Sequence, residues 1–116
     1  NMAIVDACLR SVVIYDPAWW VMENPVGRLK NWIGNKEYAF HPHEFAGWLP
    51  VGKREEEQYT KYTCLWGKFN EPEKKDLPPV LGSKMWSMYG GKSERTKEMR
   101  SQTPRGFARA FYEANK

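Results

Sequence analysis

The stretch WWVMENPVGR, Trp19 to Arg28, decides how the chain is read. Trp19 to Met22 is a short, wholly apolar run of the kind expected of a fully buried strand. It runs straight into an acid, an amide and a proline ring. Proline has no N–H and a fixed φ, so Pro25 is expected to stop the strand and to limit how far the acid at 23 can wander. In open α/β sheets, ligands bind beyond the carboxyl ends of the strands. If Trp19 to Met22 is a central strand, Glu23 and Asn24 stand at that edge, where a carboxylate can move a proton. The competing role for Glu23 is structural: an acid near the positive end of the helix that follows.

Outward from this stretch, the pattern alternates between helix and strand. Ile4, Val5, Cys8, Leu9, Val12 and Val13 recur at the spacing of an amphipathic helix, with no N-cap residue before it. Asp16-Pro17 makes a turn. VGRLKNWI after Pro25 can form two helical turns closed by Gly34. EYAFHPHEF alternates weakly around Tyr38 and Phe40, and GKREEE is a charged loop. QYTKYTCLWGKF is a clear strand, with Tyr62, Cys64 and Trp66 on one face and Thr63 and Leu65 on the other. NEPEKKDLPPVLG is an extended surface segment. At the end, Thr103 is the expected N-cap and Pro104 the first residue of a helix over PRGFARAFYEAN. That helix sets Phe107, Phe111 and Ala114 on one face, and Arg105, Arg109, Tyr112 and Lys116 on the other. This order is α/β, within one domain spanning residues 1–116.

Composition narrows the function classes. A hydrophobic fraction of 41% without low-complexity runs points to a globular chain, and 116 residues suffice to bury about 60–70% of the unfolded surface. No apolar stretch approaches the roughly 20 residues that span a bilayer. Asp6 and Arg10 interrupt the first segment and no small-residue cleavage site follows, so no secretory leader is expected. Cys8 and Cys64 are too few and too far apart for a disulfide scaffold, and both read as reduced core thiols of a cytoplasmic protein. Of the net charge of +4, residues 84–116 contribute eight basic and three acidic side chains, a balance of +5. A basic carboxy-terminal third suits a polyanion partner, and equally a solvated face. Within SERTKEMRSQTPR, the residues Arg95, Lys97, Arg100 and Arg105 are the candidate phosphate contacts. His41-Pro-His43 with Glu44 offers HxH spacing, but no third ligand is evident, so no metal is expected and an exposed turn is the better reading.

Three segments resemble cytosine-C5 DNA methyltransferase-like proteins, especially the short ones of phages and prophages. WWVMENPVGRL is similar to the family's strand and loop, which end in Glu-Asn-Val in the main family and in Glu-Asn-Pro with a following Gly-Arg in the phage type. QYTKYTCLWG resembles the later strand, which opens on a Gln-x-Arg-x-Arg pattern. RSQTPRGFARAFYEAN is similar to the terminal Arg-x-x-Thr-Pro helix. Pro42 and Phe45 match a Pro-x-x-Phe pattern of structural character. The segments occur in the family's order and cover most of the chain.

The resemblance implies a partial Rossmann-like methyltransferase sheet with flanking helices. It implies that Glu23 contacts a flipped cytosine and protonates its ring nitrogen, making C6 more electrophilic, with Asn24 as the neighbouring amide. Arg28 is a candidate backbone-phosphate contact. Gln58 matches the glutamine of the later strand, but the two arginines of that pattern fall on Thr60 and Tyr62, with Lys61 on the opposite face of the strand. The family's glycine-rich cofactor turn and its Pro-Cys nucleophile loop have no counterpart here. S-adenosylmethionine is therefore implied for the full-length relative and not for this chain alone. The sequence corresponds to the carboxy-terminal half of such a protein: a fragment, split subunit or degenerate relative, expected to be inactive alone. Its expected partners are DNA and either a missing amino-terminal half or a second copy of itself. The alternatives are a non-enzymatic nucleic-acid-binding module and a phage-derived structural or interaction protein.

Overall fold

A computed structural model describes residues 2–25, 34, 36–83 and 102–116. Helix α1 spans Met2–Tyr15, and the strands are β1 (Trp20–Pro25), β2 (Tyr38–Phe40) and β3 (Thr63–Lys68). Helix α2 (Arg105–Asn115) closes the chain, and short 3-10 helices cover Pro42–Trp48 and Arg54–Glu57. The architecture is mixed α/β around a small sheet. Its three strands are ordered β1-β3-β2 and every pairing is antiparallel. The last strand in sequence lies between the other two, so β1 and β2 point the same way.

Register and the two-residue period of a strand divide the side chains between two faces. Glu23 lies opposite Leu65, Met22 opposite Trp66, and Tyr38 opposite Leu65. On the Leu65 face, Phe40, Phe45, Phe107, Ala110 and Phe111 form the main core, with Val21 and Tyr38 packed at its margin. The Phe40 and Phe107 rings stack at 4.2 Å and 10°. Phe45 meets Phe107 edge-on at 5.5 Å. Each fully buried phenylalanine contributes about 1.5–3 kcal/mol. The other face carries Cys64 and Trp66, with Met22, Ala39 and Val5 of α1 beside them. The alternation expected for β3 is therefore observed. Gly67, at φ 145°, lies where the β1 backbone passes so close that a Cβ would collide with the Trp20 carbonyl oxygen.

The first strand differs from its reading as a buried, central element ending at Met22. It runs on through Glu23 and Asn24 to Pro25, and it forms the edge of the sheet. Trp19 is 45% exposed, and Val21 and Met22 are half-buried. The reason is topological: β3 takes the central position, and β1 has one strand neighbour among the described residues. Pro25 is tolerated as the final residue of an edge strand, where a missing N–H costs little.

Helix α1 forms as the periodicity predicts, but half of its apolar stripe faces water. Val5, Leu9 and Val12 are half-buried, whereas Ile4 and Val13 are 71% and 81% exposed and Cys8 is exposed. Cys8 is thus not a core thiol; Cys64 is. The two turns of helix expected over residues 26–33 lie outside the described residues. Gly34 itself has the positive φ of 87° typical of a helix-terminating glycine, and its carbonyl accepts the Trp66 indole N–H at 2.9 Å.

Thr103 does not cap α2. The helix starts at Arg105 with Pro104 at the cap position and no local side chain bonded there. Glu57, buried to 7% exposure, supplies the cap from the second 3-10 helix: its carboxylate accepts the N–H groups of Arg105 and Gly106. Gly106 is required for this docking, because a Cβ would run into the Phe45 carbonyl. Residues 73–79 lie outside helix and strand, as expected, and a turn follows at Val80 and Leu81, yet the segment is tied down. Lys75 N–H donates to Glu44 O, Gly47 N–H to Lys75 O, and Leu77 N–H to His43 O.

Candidate functional site

Glu23 is the third residue after the apolar start of β1 is set, and strand alternation fixes its direction. It shares the Leu65 face with Val21, two residues or about 7 Å along the strand. Val21, Trp19, Phe107, Phe111 and Tyr112 line a groove of about 470 Å³ between β1 and α2, with Thr103 at its rim. Trp19 meets Phe111 edge-on at 5.3 Å, which fixes the groove's wall. Glu23 is exposed, and among the described residues no hydrogen bond or ion pair engages its carboxylate. The geometry is an acid on the strand face that also carries Val21 into the aromatic trough.

Sequence reasoning missed Tyr59. It is buried, and its phenol is pushed up to about 12, first by burial and then by the charges of Glu57 and Glu23. The phenol therefore lies within electrostatic reach of both carboxylates and stays protonated. Its place, next to Gln58 in a segment with further aromatics at Tyr62, Trp66 and Phe69, carried no signal that separated it from an ordinary strand residue.

The other candidates divide by what already occupies them. The Gln58 amide donates to the Pro78 carbonyl at 2.9 Å, and the Gln58 carbonyl accepts Leu81 N–H. Gln58 thus holds the extended segment against the body. Lys61 is half-buried; its N–H donates to His41 Nδ1 at 2.9 Å and its carbonyl accepts the Thr63 hydroxyl. Arg105 lies against Glu56 at 2.7 Å and Glu57 at 3.4 Å. A phosphate at Arg105 has to compete with two carboxylates. Asn24 lies opposite Cys64 in β1. Arg28, Arg95, Lys97 and Arg100 lie outside the described residues.

The histidines are half-buried rather than exposed. His43 Nδ1 lies 2.9 Å from Leu77 O and 3.1 Å from Asp76, so it carries the hydrogen. His41 Nδ1 accepts from Lys61, and the two rings stack at 5.8 Å. Glu44 accepts the His41 N–H and pairs with Lys74. Burial raises the Glu44 carboxyl, but its contacts with Lys74 and the His41 N–H outweigh that and hold it below the usual range. With Pro42 and Phe45 buried, this segment is a structural clasp. No group of three metal-ligating side chains occurs among the described residues.

Neither cysteine stands where a nucleophile is expected. Cys64 lies inside β3, and burial pushes its thiol up despite Lys36 nearby, which keeps it protonated. Cys8 is on the exposed side of α1. The described glycines of positive φ, Gly34, Gly52, Gly67 and Gly82, are isolated, and none opens a helix after a strand. No helix among them is long and apolar enough to cross a membrane. Comparisons with protein-family models, with curated proteins and with solved structures gave no match to this chain.

Proposed function

We propose that this chain is the carboxy-terminal part of a DNA cytosine methyltransferase-like protein, carrying the acid of the reaction and relying on a second segment for the nucleophile and S-adenosylmethionine. The observation that carries the reading is Glu23: an exposed carboxylate, with no hydrogen bond or ion pair among the described residues, on the same sheet face as Val21, which lines an aromatic groove. A base taken out of the stack needs flat apolar walls and a hydrogen-bonding group for its ring edge. Trp19, Phe111 and Tyr112 offer the walls, and Glu23, two residues along the strand from Val21 on the same face, offers the group. In this role Glu23 donates a proton to the ring nitrogen as a nucleophile adds at C6, and the Tyr59 phenol stays neutral behind it.

β1 and β2 run parallel, with β3 reversed between them, and the outer edge of β1 has no strand beside it among the described residues. A Rossmann-like sheet extended beyond β1 by further parallel strands is compatible with this arrangement. DNA is then the substrate, reached by the assembled protein.

The test is reconstitution. The open reading frame adjoining this sequence is co-expressed with it, and transfer of labelled methyl from S-adenosylmethionine to duplex DNA is measured. The reading expects a glycine-rich turn and a Pro-Cys loop in that frame and cytosine-dependent transfer by the pair. An adjoining sequence lacking both features, with no transfer, contradicts it.

A further inference from the structure

Carboxylates neutralise some cations of this chain and leave others alone. Arg105 lies against Glu56 and Glu57, Lys74 against Glu44, and Lys116 against Glu113. Arg54, Lys75 and Arg109 make no ion pair among the described residues. Three separate elements nevertheless bring them to one place, the end of the Pro42–Trp48 3-10 helix. Arg54 donates its Nε to the Leu49 carbonyl at 2.8 Å and its Nη2 to the Gly47 carbonyl at 3.4 Å. Arg109, from α2, donates Nη1 to the Trp48 carbonyl at 3.2 Å. Lys75 stands over the Trp48 ring, with its Nζ 3.9 Å from the centroid. The backbone fixes that last position: Gly47 N–H donates to Lys75 O, and a Cβ on Gly47 would collide with the same oxygen.

Open carbonyls at a helix end attract cations, but they do not account for three. Arg54 alone covers Gly47 and Leu49, Ala46 O already accepts Leu49 N–H, and the Lys75 ammonium rests on a ring. A guanidinium carries five N–H groups, and these bonds use two on Arg54 and one on Arg109. Lys75 and Arg109 are exposed, Arg54 is half-buried, and exposed Lys53 precedes it. Of the acids nearest in sequence, Glu55 and Glu73 pair with no cation and Asp76 lies against His43; none of these carboxylates engages the four cations.

We propose that Arg54, Lys75 and Arg109 form a clamp for the phosphodiester backbone of duplex DNA, beside the groove. Arginine forks match the oxygens of a phosphate, and charge-assisted bonds of this kind are the strong ones. The clamp is preorganised, because backbone carbonyls and an indole ring hold the cations without neutralising them. Arg105 is the contrast: it is held just as firmly, but by two carboxylates. Position links the clamp to the groove. Tyr112 follows Arg109 by three residues, the spacing of neighbours on a helix surface, and it lines the groove with Phe111. A strand whose phosphates lie on the clamp passes the mouth of the groove, and such contacts set position rather than sequence. That the polyanion is DNA rests on the function proposed above. Val51 is exposed two residues before Lys53, so an anionic lipid surface is the rival occupant that the test must separate.

The full chain is titrated onto a fluorescent DNA duplex over a range of salt, starting low. Each phosphate contact contributes about −0.9 to the slope of log affinity against log salt, so three contacts predict a slope of about −3. Lys75→Gln and Arg109→Gln are each expected to bring it to about −2, and the double variant to about −1. Both side chains are exposed, so these variants are expected to keep the parent thermal transition. Arg109→Lys keeps the charge and is expected to keep the slope. Lys36 stands over Tyr62, on the Cys64 side of the sheet; Lys36→Gln removes the same charge there and is expected to leave the slope unchanged. A parent chain that binds no duplex at low salt, a double variant with the parent slope, or an equal loss in Lys36→Gln overturns the proposal. So does tighter binding to phosphatidylserine–phosphatidylcholine vesicles that the same variants abolish. The clamp and the function proposed above fail separately. Duplex binding through the clamp with no methyl transfer by the reconstituted pair leaves the clamp standing, and methyl transfer by the pair with DNA affinity unchanged in the double variant removes the clamp alone.

Discussion

Glu57 Oε1 accepts the N–H of Gly106 at 2.8 Å, across 49 residues of sequence, and its Oε2 accepts the N–H of Arg105 at the same distance. One buried carboxylate thus satisfies two of the donors that every helix leaves open at its start, and the positive end of the helix favours its charge. The same contact ties the Arg54–Glu57 segment to the helix that carries Phe107 and Phe111 into the core.

Removing this cap leaves buried donors without partners. Glu57→Ala is expected to lower stability by about 1–3 kcal/mol. Urea denaturation followed by tryptophan fluorescence measures it, with the slope unchanged. A loss within about 0.5 kcal/mol, the range of ordinary surface substitutions, contradicts the assignment.

Alkaline stability depends on Tyr59. Its folded phenol is pushed up to about 12, above the value of about 10 for an unfolded tyrosine. A folded pKa above the unfolded one means that the contribution is complete below about pH 10 and is lost as pH rises towards 12. Ultraviolet titration should find one tyrosine ionising late, and Tyr59→Phe should flatten the alkaline limb of the stability profile. An unchanged limb contradicts the burial of the phenol.

The acid limb involves Glu44, whose folded carboxyl is held below its ordinary value by Lys74 and the His41 N–H. A depressed folded pKa contributes stability above the unfolded carboxylate value, and this is lost as pH falls through the folded one. Glu44→Gln is expected to lower stability at neutral pH and to narrow the difference between pH 7 and acid. Chemical denaturation at both ends of that range tests the sign.

The two thiols should react at different rates. Cys8 is exposed and Cys64 is buried with its thiol pushed up, so a thiol-specific chromophore should modify one cysteine quickly and the second only on unfolding. Rapid modification of both in the folded chain contradicts the placement of Cys64.

What the sequence made legible follows what is local. The period of three and four in α1, the alternation Cys64/Trp66 against Thr63/Leu65 and the Phe107–Phe111 face of α2 all depend on near neighbours, and all are found. What it did not disclose depends on distant ones. An apolar run reads the same at the centre of a sheet as at its edge, so Trp19 to Met22 gave no sign that β3 would take the middle place. Thr103-Pro104 has the form of a local cap, while the carboxylate that caps α2 arrives from Glu57. Gln58 reads as the glutamine of the later strand and Arg105 as a phosphate contact; each is held by a partner 20 and 49 residues away, Pro78 and Glu56. The groove beside Val21 required α2 to fold back onto β1, which no local pattern discloses.

The central claim is that Glu23 acts on the base in the completed protein. The direct measurement is single-turnover methyl transfer to cytosine by the reconstituted protein, parent against Glu23→Gln, alongside DNA affinity. The account predicts a fall of about 10²–10⁴-fold in the rate, as expected for losing a general acid, with DNA affinity kept. A Glu23→Gln protein that transfers methyl at the parent rate contradicts it.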